Sequence, residues 1–578
     1  MRFILDMVHH NPGEGRFESA FLNPQHLKAY GYNGQVFKHI NCVATFQATG
    51  ADLFPNDSAA RRWLDGFLPG IETEIRAAKS AGLAVFYHLD LFVLPRALVE
   101  LYRDEICDPV TGCISLERPR TLELHRVLFD ELCARFPDVD GYIVRVGETY
   151  LFDTPFHTGN SPIPKAGSGW TPTYGYEEVL RGSAARVVWT QAQADAYVRL
   201  LRFLREELCV KHGKHVIFRT WDIFPDKLHA VPEHYLEVTD RVEPHPQLLF
   251  SIKHTALDFW RRVKVNECLA RGRHAQVVEV QCAREYEGKG AYPNYVMEGI
   301  FKGFEENAER VGLKDILKHP LIRGVYGWSR GGGWYGPYLK HEFWCDLQAY
   351  VLGRVAADPA RTEAAVFHEY CLERMQLSPK DAAKFREFCR LSARAVLKGR
   401  YCEAFDLTLH EALLPTALWM RDDRLGGLDQ LADVLGYLAR HQLLEQALAE
   451  KAESARLWER MAELLRQITI PDQRLRETLE VSVEYGRLLF QIVLEGWRVL
   501  AAQVNGERTG QYDRAELGAS IERYDALWRE YRALSASPEC ASLYEGVYFN
   551  LPGSPPVSGL RDSVEQCRAL LLQEAGRR

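Results

Sequence analysis

The feature that most constrains this chain is a rhythm. Eight short apolar runs of strand type fall at residues 2–8, 35–41, 83–89, 141–146, 215–220, 248–252, 276–281 and 322–328. Between several of them lie stretches with apolar residues every three to four positions, at 61–81, 121–136, 191–210 and 295–310. The first carries Trp63, Leu64, Phe67, Ile71 and Ile75, stops at Gly82, and is expected to split at Pro69-Gly70. Strands that alternate with helices form a parallel sheet covered by those helices, and eight such units predict a (β/α)8 barrel. A doubly wound open sheet is the runner-up. It is disfavoured because Asn11, Pro12 and Gly13, not a glycine-rich phosphate turn, follow the first run.

After Asp358-Pro359 the pattern changes to long helical stretches at 380–397, 425–467, 472–505 and 517–534, with strand-like runs nearly absent. The chain is therefore expected to divide into a catalytic barrel, 1–358, and an all-α domain, 359–578. With 578 residues, 47% of them hydrophobic, it can fill two cores. Trp419, Trp458, Tyr485, Phe490, Trp497, Tyr524 and Trp528 read as helix core, and the helical domain is the expected seat of a homodimer contact.

The net charge of −7 and the lack of a basic stripe argue against a nucleic-acid partner. Thirteen scattered cysteines without a CxxC pair predict reduced thiols and a cytoplasmic setting. Asp6 interrupts the first apolar run, so it does not read as a signal peptide, and no segment reaches transmembrane length.

In such a barrel, residues just past the C-terminal ends of strands face the active site. The stretch 248–290 places Lys253 and Asp258 after the sixth strand, and Arg284 and Glu285 after the seventh. Two carboxylates and two cations there read as acid–base chemistry on a sugar, with ion pairing at a strand end as the plainer alternative. The loop 152–187, with Phe156, Trp170, Tyr174 and Tyr176, is expected to be ordered against ligand. His9, His10, His88, Asp90, His157 and His254 also lie near strand ends. None has a zinc-ligand spacing such as HxH or HExxH, so neither a metal nor another cofactor is expected.

Several blocks of the barrel, in order, resemble glycoside hydrolase family 67, the α-glucuronidases. They are Gly31-Tyr32-Asn33-Gly34-Gln35-Val36 with Asn41, the run 140–148, Val216-Ile217-Phe218-Arg219, and Ser251-Ile252-Lys253 with Leu257-Asp258-Phe259. They continue with Arg284-Glu285-Tyr286-Glu287-Gly288, Gly333-Trp334-Tyr335-Gly336 and Tyr350-Val351-Leu352-Gly353-Arg354. The resemblance implies Glu148 as general acid, and Asp258 and Glu285 as the other catalytic carboxylates. It also implies Arg219 and Lys253 as ligands of a uronate carboxylate, the first through paired hydrogen bonds and the second as a point charge. Arg145, near a family lysine, joins Trp221, His254, Arg284 and Trp334 as expected substrate ligands. The tryptophans, with Trp328, are candidates to stack on sugar faces, and His254 to bond a hydroxyl or a catalytic carboxylate. The departures are the family's N-terminal β domain, the 152–187 loop, and Cys282-Ala283-Arg284 in place of more neutral residues.

The reading that follows is an inverting exo-glycosidase that removes a terminal uronic acid from an oligosaccharide. Glu148 faces Asp258 and Glu285 across the barrel mouth, and either of the latter is the base. The alternatives are a glycosidase for another sugar and an inactive carbohydrate-binding relative.

Overall fold

A computed structural model describes residues 2–9, 19–110, 112–146, 154–159, 189–221, 228–307, 309–332, 336–406, 425–546 and 558–575. Eight parallel strands close into a barrel in sequence order. They are β1 (Phe3–Val8), β2 (Gly34–Phe37), β3 (Ala84–Asp90), β4 (Gly141–Arg145), β5 (His215–Arg219), β6 (Leu248–Lys253), β7 (Ala275–Gln281) and β8 (Ile322–Arg330), and β8 pairs back to β1. The barrel expectation holds, and with it the helical C-terminal region.

Two-residue alternation sorts the strand side chains. Phe3, Leu5, Met7, Val36, Phe86, Ile143, Ile217, Leu249, Val277, Tyr326 and Trp328 form one apolar cluster inside the barrel. Gly141 makes room for it, since a Cβ there would meet the Phe86 ring at 2.8 Å and the His215 carbonyl at 2.5 Å. The intervening residues, such as Ile4, Val85, Tyr142, Phe218 and Phe250, face the surrounding helices.

Toward the C-terminal ends of the strands the same inward rows turn polar. They become His88 and Asp90 on β3, Arg145 on β4, Arg219 on β5, Ser251 and Lys253 on β6, and Glu279 and Gln281 on β7, all buried. Apolar floor and polar mouth are thus one pattern read along each strand.

The helices depart from expectation in instructive places. Helix Ala59–Ser80 runs through Pro69 unbroken, because Pro69 and Gly70 lie on its solvent side. The stretch 295–310 yields only Met297–Lys302. Gly303, at φ +91°, turns the chain back so tightly that a Cβ would meet the Arg310 backbone at 2.2 Å. The stretch 425–467 divides into Leu428–Arg440 and Leu444–Arg466 around Gln442, which has φ +60°.

Outside the barrel, Val93–Pro95 pairs antiparallel with His157–Gly159. Most of the 152–187 loop, with Trp170, Tyr174 and Tyr176, lies outside the described residues. Phe156, which is described, packs edge-on against Trp63 at 6.2 Å.

The helices beyond residue 358 centre on Pro379–Arg400, Leu444–Arg466, Gln473–Thr509 and Arg514–Leu534. Asp472 caps the third by accepting the Leu475 N–H at 3.1 Å, and Gly510, at φ +72°, ends it. Trp458, Tyr485, Phe490, Trp497, Tyr524 and Trp528 are all buried in its packing, while Trp419 lies outside the described residues.

One apolar cluster runs from the outer barrel strands through Trp344, Phe385 and Phe388 to Trp497 and Trp528. Trp344, from the last barrel helix Phe343–Ala357, also donates to Ser482 Oγ at 3.1 Å. The thirteen cysteines are all free thiols, twelve of them buried. Among the described residues, no helix is long and apolar enough to cross a membrane.

Candidate active site

The mouth of the barrel is built from ion pairs between neighbouring strands. Asp90 and Arg145 stand in register at the ends of β3 and β4. The guanidinium grips the carboxylate twice, Nε to Oδ1 at 2.5 Å and Nη2 to Oδ2 at 2.6 Å. Arg219 reaches across β6 to Glu279 on β7, Nε to Oε2 at 3.0 Å and Nη2 to Oε1 at 2.8 Å. Ser251, on the strand between, donates to the same carboxylate at 3.1 Å. Arg219 and Glu279 are 1% and 0% exposed, so each charge depends on the other.

The sixth strand ends in a third pair. The Lys253 ammonium donates to Asp258 Oδ1, and the Tyr286 hydroxyl donates to Asp258 Oδ2. Lys253 is wedged between aromatic faces, 4.2 Å from the Trp221 ring centre and 4.4 Å from that of Phe259. Tyr286 is fixed by a parallel stack on Trp260, with centroids 4.0 Å apart. The backbone of Asp258 is left-handed, φ +41°, and the Thr255 hydroxyl closes that turn onto its carbonyl. Both carboxylate oxygens of Asp258 therefore accept from donors.

Glu285, 6% exposed, follows β7 in a second tight loop whose Arg284 is also left-handed, φ +57°. Its N–H donates to Gln281 Oε1 at 2.6 Å. Its carboxylate rests against Gly332, where a Cβ would meet Oε2 at 2.2 Å, and Gly332 has φ +103°. Space and backbone conformation both require glycine there.

Arg284 turns to Glu287, Nε at 3.0 Å and Nη2 at 2.7 Å, and both side chains are 1% exposed. Burial raises the Glu287 pKa, but the Arg284 charge and hydrogen bonds outweigh it and hold the group below the usual carboxylate range. Expected as a substrate ligand, Arg284 instead places its charge at the junction of barrel and helices.

His254 is buried, with Nδ1 3.4 Å from the Glu279 carbonyl. Burial, then the Arg284 charge, push its pKa down to about 3, so it is a neutral imidazole at ordinary pH. Trp221, 5% exposed, covers Lys253 and meets His229 edge-on at 5.1 Å. Trp328 lies within the barrel cluster, stacked on His9 at 5.6 Å, with the Arg219 guanidinium 5.2 Å from its centre. Glu148 and Trp334 lie outside the described residues, as does His10. Among the described residues, no group of three His, Cys, Asp or Glu is arranged to hold a metal ion.

The structure places Asp258 and Glu285 in buried loops after neighbouring strands, and most of what holds them is not announced by the sequence. Glu279 went unremarked, although the alternation Val277, Glu279, Gln281 along β7 marks it as inward-facing. Asp90 had been considered only as a metal ligand. The role of Tyr286 depends on a contact between two loops, for which no spacing rule exists.

No family profile matches the chain, and no curated protein matches it in sequence. Among solved structures it is similar to a GH138 enzyme targeting pectin rhamnogalacturonan II, with a TM-score of 0.54, 10% identity, and coverage of 100% of this chain and 83% of that one. A GH84 enzyme follows at a TM-score of 0.38 and 10% identity, covering 99% of this chain and 75% of that one. A mutant Thermobaculum terrenum O-GlcNAc hydrolase stands at 0.37 and 10%, covering 99% and 94%. The first likeness concerns the fold alone, and the other two are too distant to add to it. The chain has a (β/α)8 barrel with a helical C-terminal region, a fold it shares along its whole length with a glycoside hydrolase.

Proposed function

We propose that this chain is a glycoside hydrolase of α-glucuronidase type, removing a terminal glucuronic, 4-O-methylglucuronic or related uronic acid from oligosaccharides with inversion. The observation that carries the hydrolase reading is the placement of Asp258. A buried carboxylate at the barrel mouth, fixed by Lys253 and Tyr286, is what a base or anionic partner in glycoside cleavage requires. Glu285 sits in the loop after the neighbouring strand, β7. Glu148, three residues beyond the end of β4, takes the role of general acid from the family 67 resemblance.

The reaction then runs in one displacement. Glu148 protonates the leaving oxygen, while a water deprotonated by Asp258 or Glu285 attacks the anomeric carbon from the opposite face. β4 is separated from β6 and β7 around the ring. Inverting enzymes keep acid and base about 6.5–9.5 Å apart to admit that water. Proton NMR of the earliest product should show the β-anomer released from an α-linked substrate. Release of the α-anomer would replace inversion with a covalent glycosyl intermediate.

A second reading, a glycosidase for a neutral sugar, has one observation in its favour: Arg219 and Lys253 are already balanced by Glu279 and Asp258. The two readings separate on substrate charge. If these cations read a uronate, Lys253→Ala should depress turnover of acidic substrates selectively. Charge-assisted hydrogen bonds contribute about 1.5–3 kcal/mol, roughly 10- to 150-fold. An unchanged ratio between acidic and neutral glycosides, measured as kcat/KM on both, would establish the neutral-sugar reading. Pectic fragments belong in that panel, because the enzyme sharing the fold targets a pectin.

A further inference from the structure

Tyr401 belongs to the helical region, one residue past helix Pro379–Arg400, yet its hydroxyl lies between the two loops that carry Asp258 and Glu285. It accepts the Arg261 backbone N–H at 2.7 Å and donates to Glu287 Oε1 at 2.6 Å. Arg261 follows Asp258 by three residues, and Glu287 follows Glu285 by two.

A phenol has one hydrogen to give and lone pairs to receive, and here both capacities are used. Tyr401 is 0% exposed, so water does not stand in for either bond. Each loop is also anchored on its own side. The Arg261 guanidinium holds Glu306 at 2.5 Å and reaches the Ala393 carbonyl at 3.3 Å, while Glu287 is held by Arg284 and by Asn294 at 3.0 Å. Between these anchors the loops meet at the Tyr286–Asp258 hydrogen bond and the Trp260–Tyr286 stack.

We infer that the Tyr401 hydroxyl is a positioning group that sets the spacing of Asp258 and Glu285, so that the helical region completes the catalytic geometry of the barrel. The catalytic consequence rests on the glycosidase reading, whereas the coupling of the two loops rests on these contacts alone. If Tyr401 only filled space beside Leu397, loss of its hydroxyl would cost stability and nothing more.

Amide hydrogen exchange on full-length Tyr401→Phe distinguishes these cases. The control is Tyr87→Phe on β3, which removes another buried tyrosine's bond to a carboxylate, Glu74 on helix Ala59–Ser80, three and four strands away from β6 and β7 around the ring. In Tyr401→Phe, exchange over residues 255–262 and 284–290 should quicken together by at least ~10-fold, while Tyr87→Phe leaves both segments as they were. On any glycoside the wild type cleaves, kcat of Tyr401→Phe should fall at least ~10-fold with KM within ~3-fold, because small misplacements of catalytic groups are costly.

Quickening of one loop alone, equal quickening in the control, or an unchanged kcat would overturn the inference. If the wild type cleaves no glycoside, the functional reading falls, and the exchange data still decide the coupling. Should Tyr401→Phe not accumulate folded, native-state exchange of the wild type in low urea tests the same link: residues 255–262 and 284–290 should open together, with the same denaturant dependence, and separate openings would overturn the proposal.

Discussion

Asp258→Asn should fold and lose about 10²–10⁴-fold in kcat, the usual contribution of a positioned acid–base group. The amide is nearly isosteric and still accepts the Tyr286 hydroxyl, but it can neither take a proton from water nor carry the charge that develops opposite the leaving group. Lys253 is left with a neutral neighbour while 2% exposed. Its position between the Trp221 and Phe259 faces offsets part of that loss, by about 1–2 kcal/mol for a desolvated cation over aromatic rings. Stability should therefore decline measurably without collapse, and kcat should decline far more. Glu285→Gln should behave alike in rate. Steady-state kinetics beside urea unfolding separates the two effects, and an Asp258→Asn enzyme within about threefold of wild-type kcat would remove Asp258 from the chemistry.

The largest stability effect should come from Glu279→Ala. That carboxylate is fully buried and receives two nitrogens of Arg219 and the Ser251 hydroxyl. Removing it takes from a guanidinium that is 1% exposed the carboxylate it grips with two nitrogens, and breaking a buried ion pair from one side costs about 3–5 kcal/mol. Replacing both partners, as in Glu279→Met with Arg219→Met, should cost much less than Glu279→Ala alone, since no uncompensated charge then remains. Equilibrium unfolding of the two variants makes the comparison. If Glu279→Ala costs under ~1 kcal/mol, the charge of Arg219 is balanced elsewhere.

Much of this was legible from the chain because the relevant signals are local. Strand runs and their position in the alternation place Arg145, Arg219 and Lys253 at the mouth from the sequence alone, and the period-two row on β7 would have added Glu279. Asp258 and Glu285 are the first carboxylates past two strand ends.

What escaped is the pairing. Arg219 is legible only as an inward charge at a strand end, and its pairing with Glu279, one strand beyond its neighbour β6, depends on how the strands lie side by side. Arg284 was read with Glu285 because they are adjacent in sequence. A left-handed backbone at Arg284 sends the two side chains to different neighbours, and no residue type announces that conformation at an arginine. Tyr401 lies outside every motif. It becomes visible only when the helical region is folded onto the barrel.

The continuous apolar cluster between barrel and helices bears on how such a chain can be inherited. A gene fragment ending near residue 358 would encode a barrel whose last helix has lost the rings that cover Trp344 and Tyr350, namely Phe385, Phe388 and Tyr370. It would also lack the hydroxyl that bonds to both the loop after β6 and the loop after β7. Neither half is then a cassette that recombination can trade freely between genes. A change of volume on one side of this seam should then call for a matching change on the other, because packed neighbours do not contribute independently.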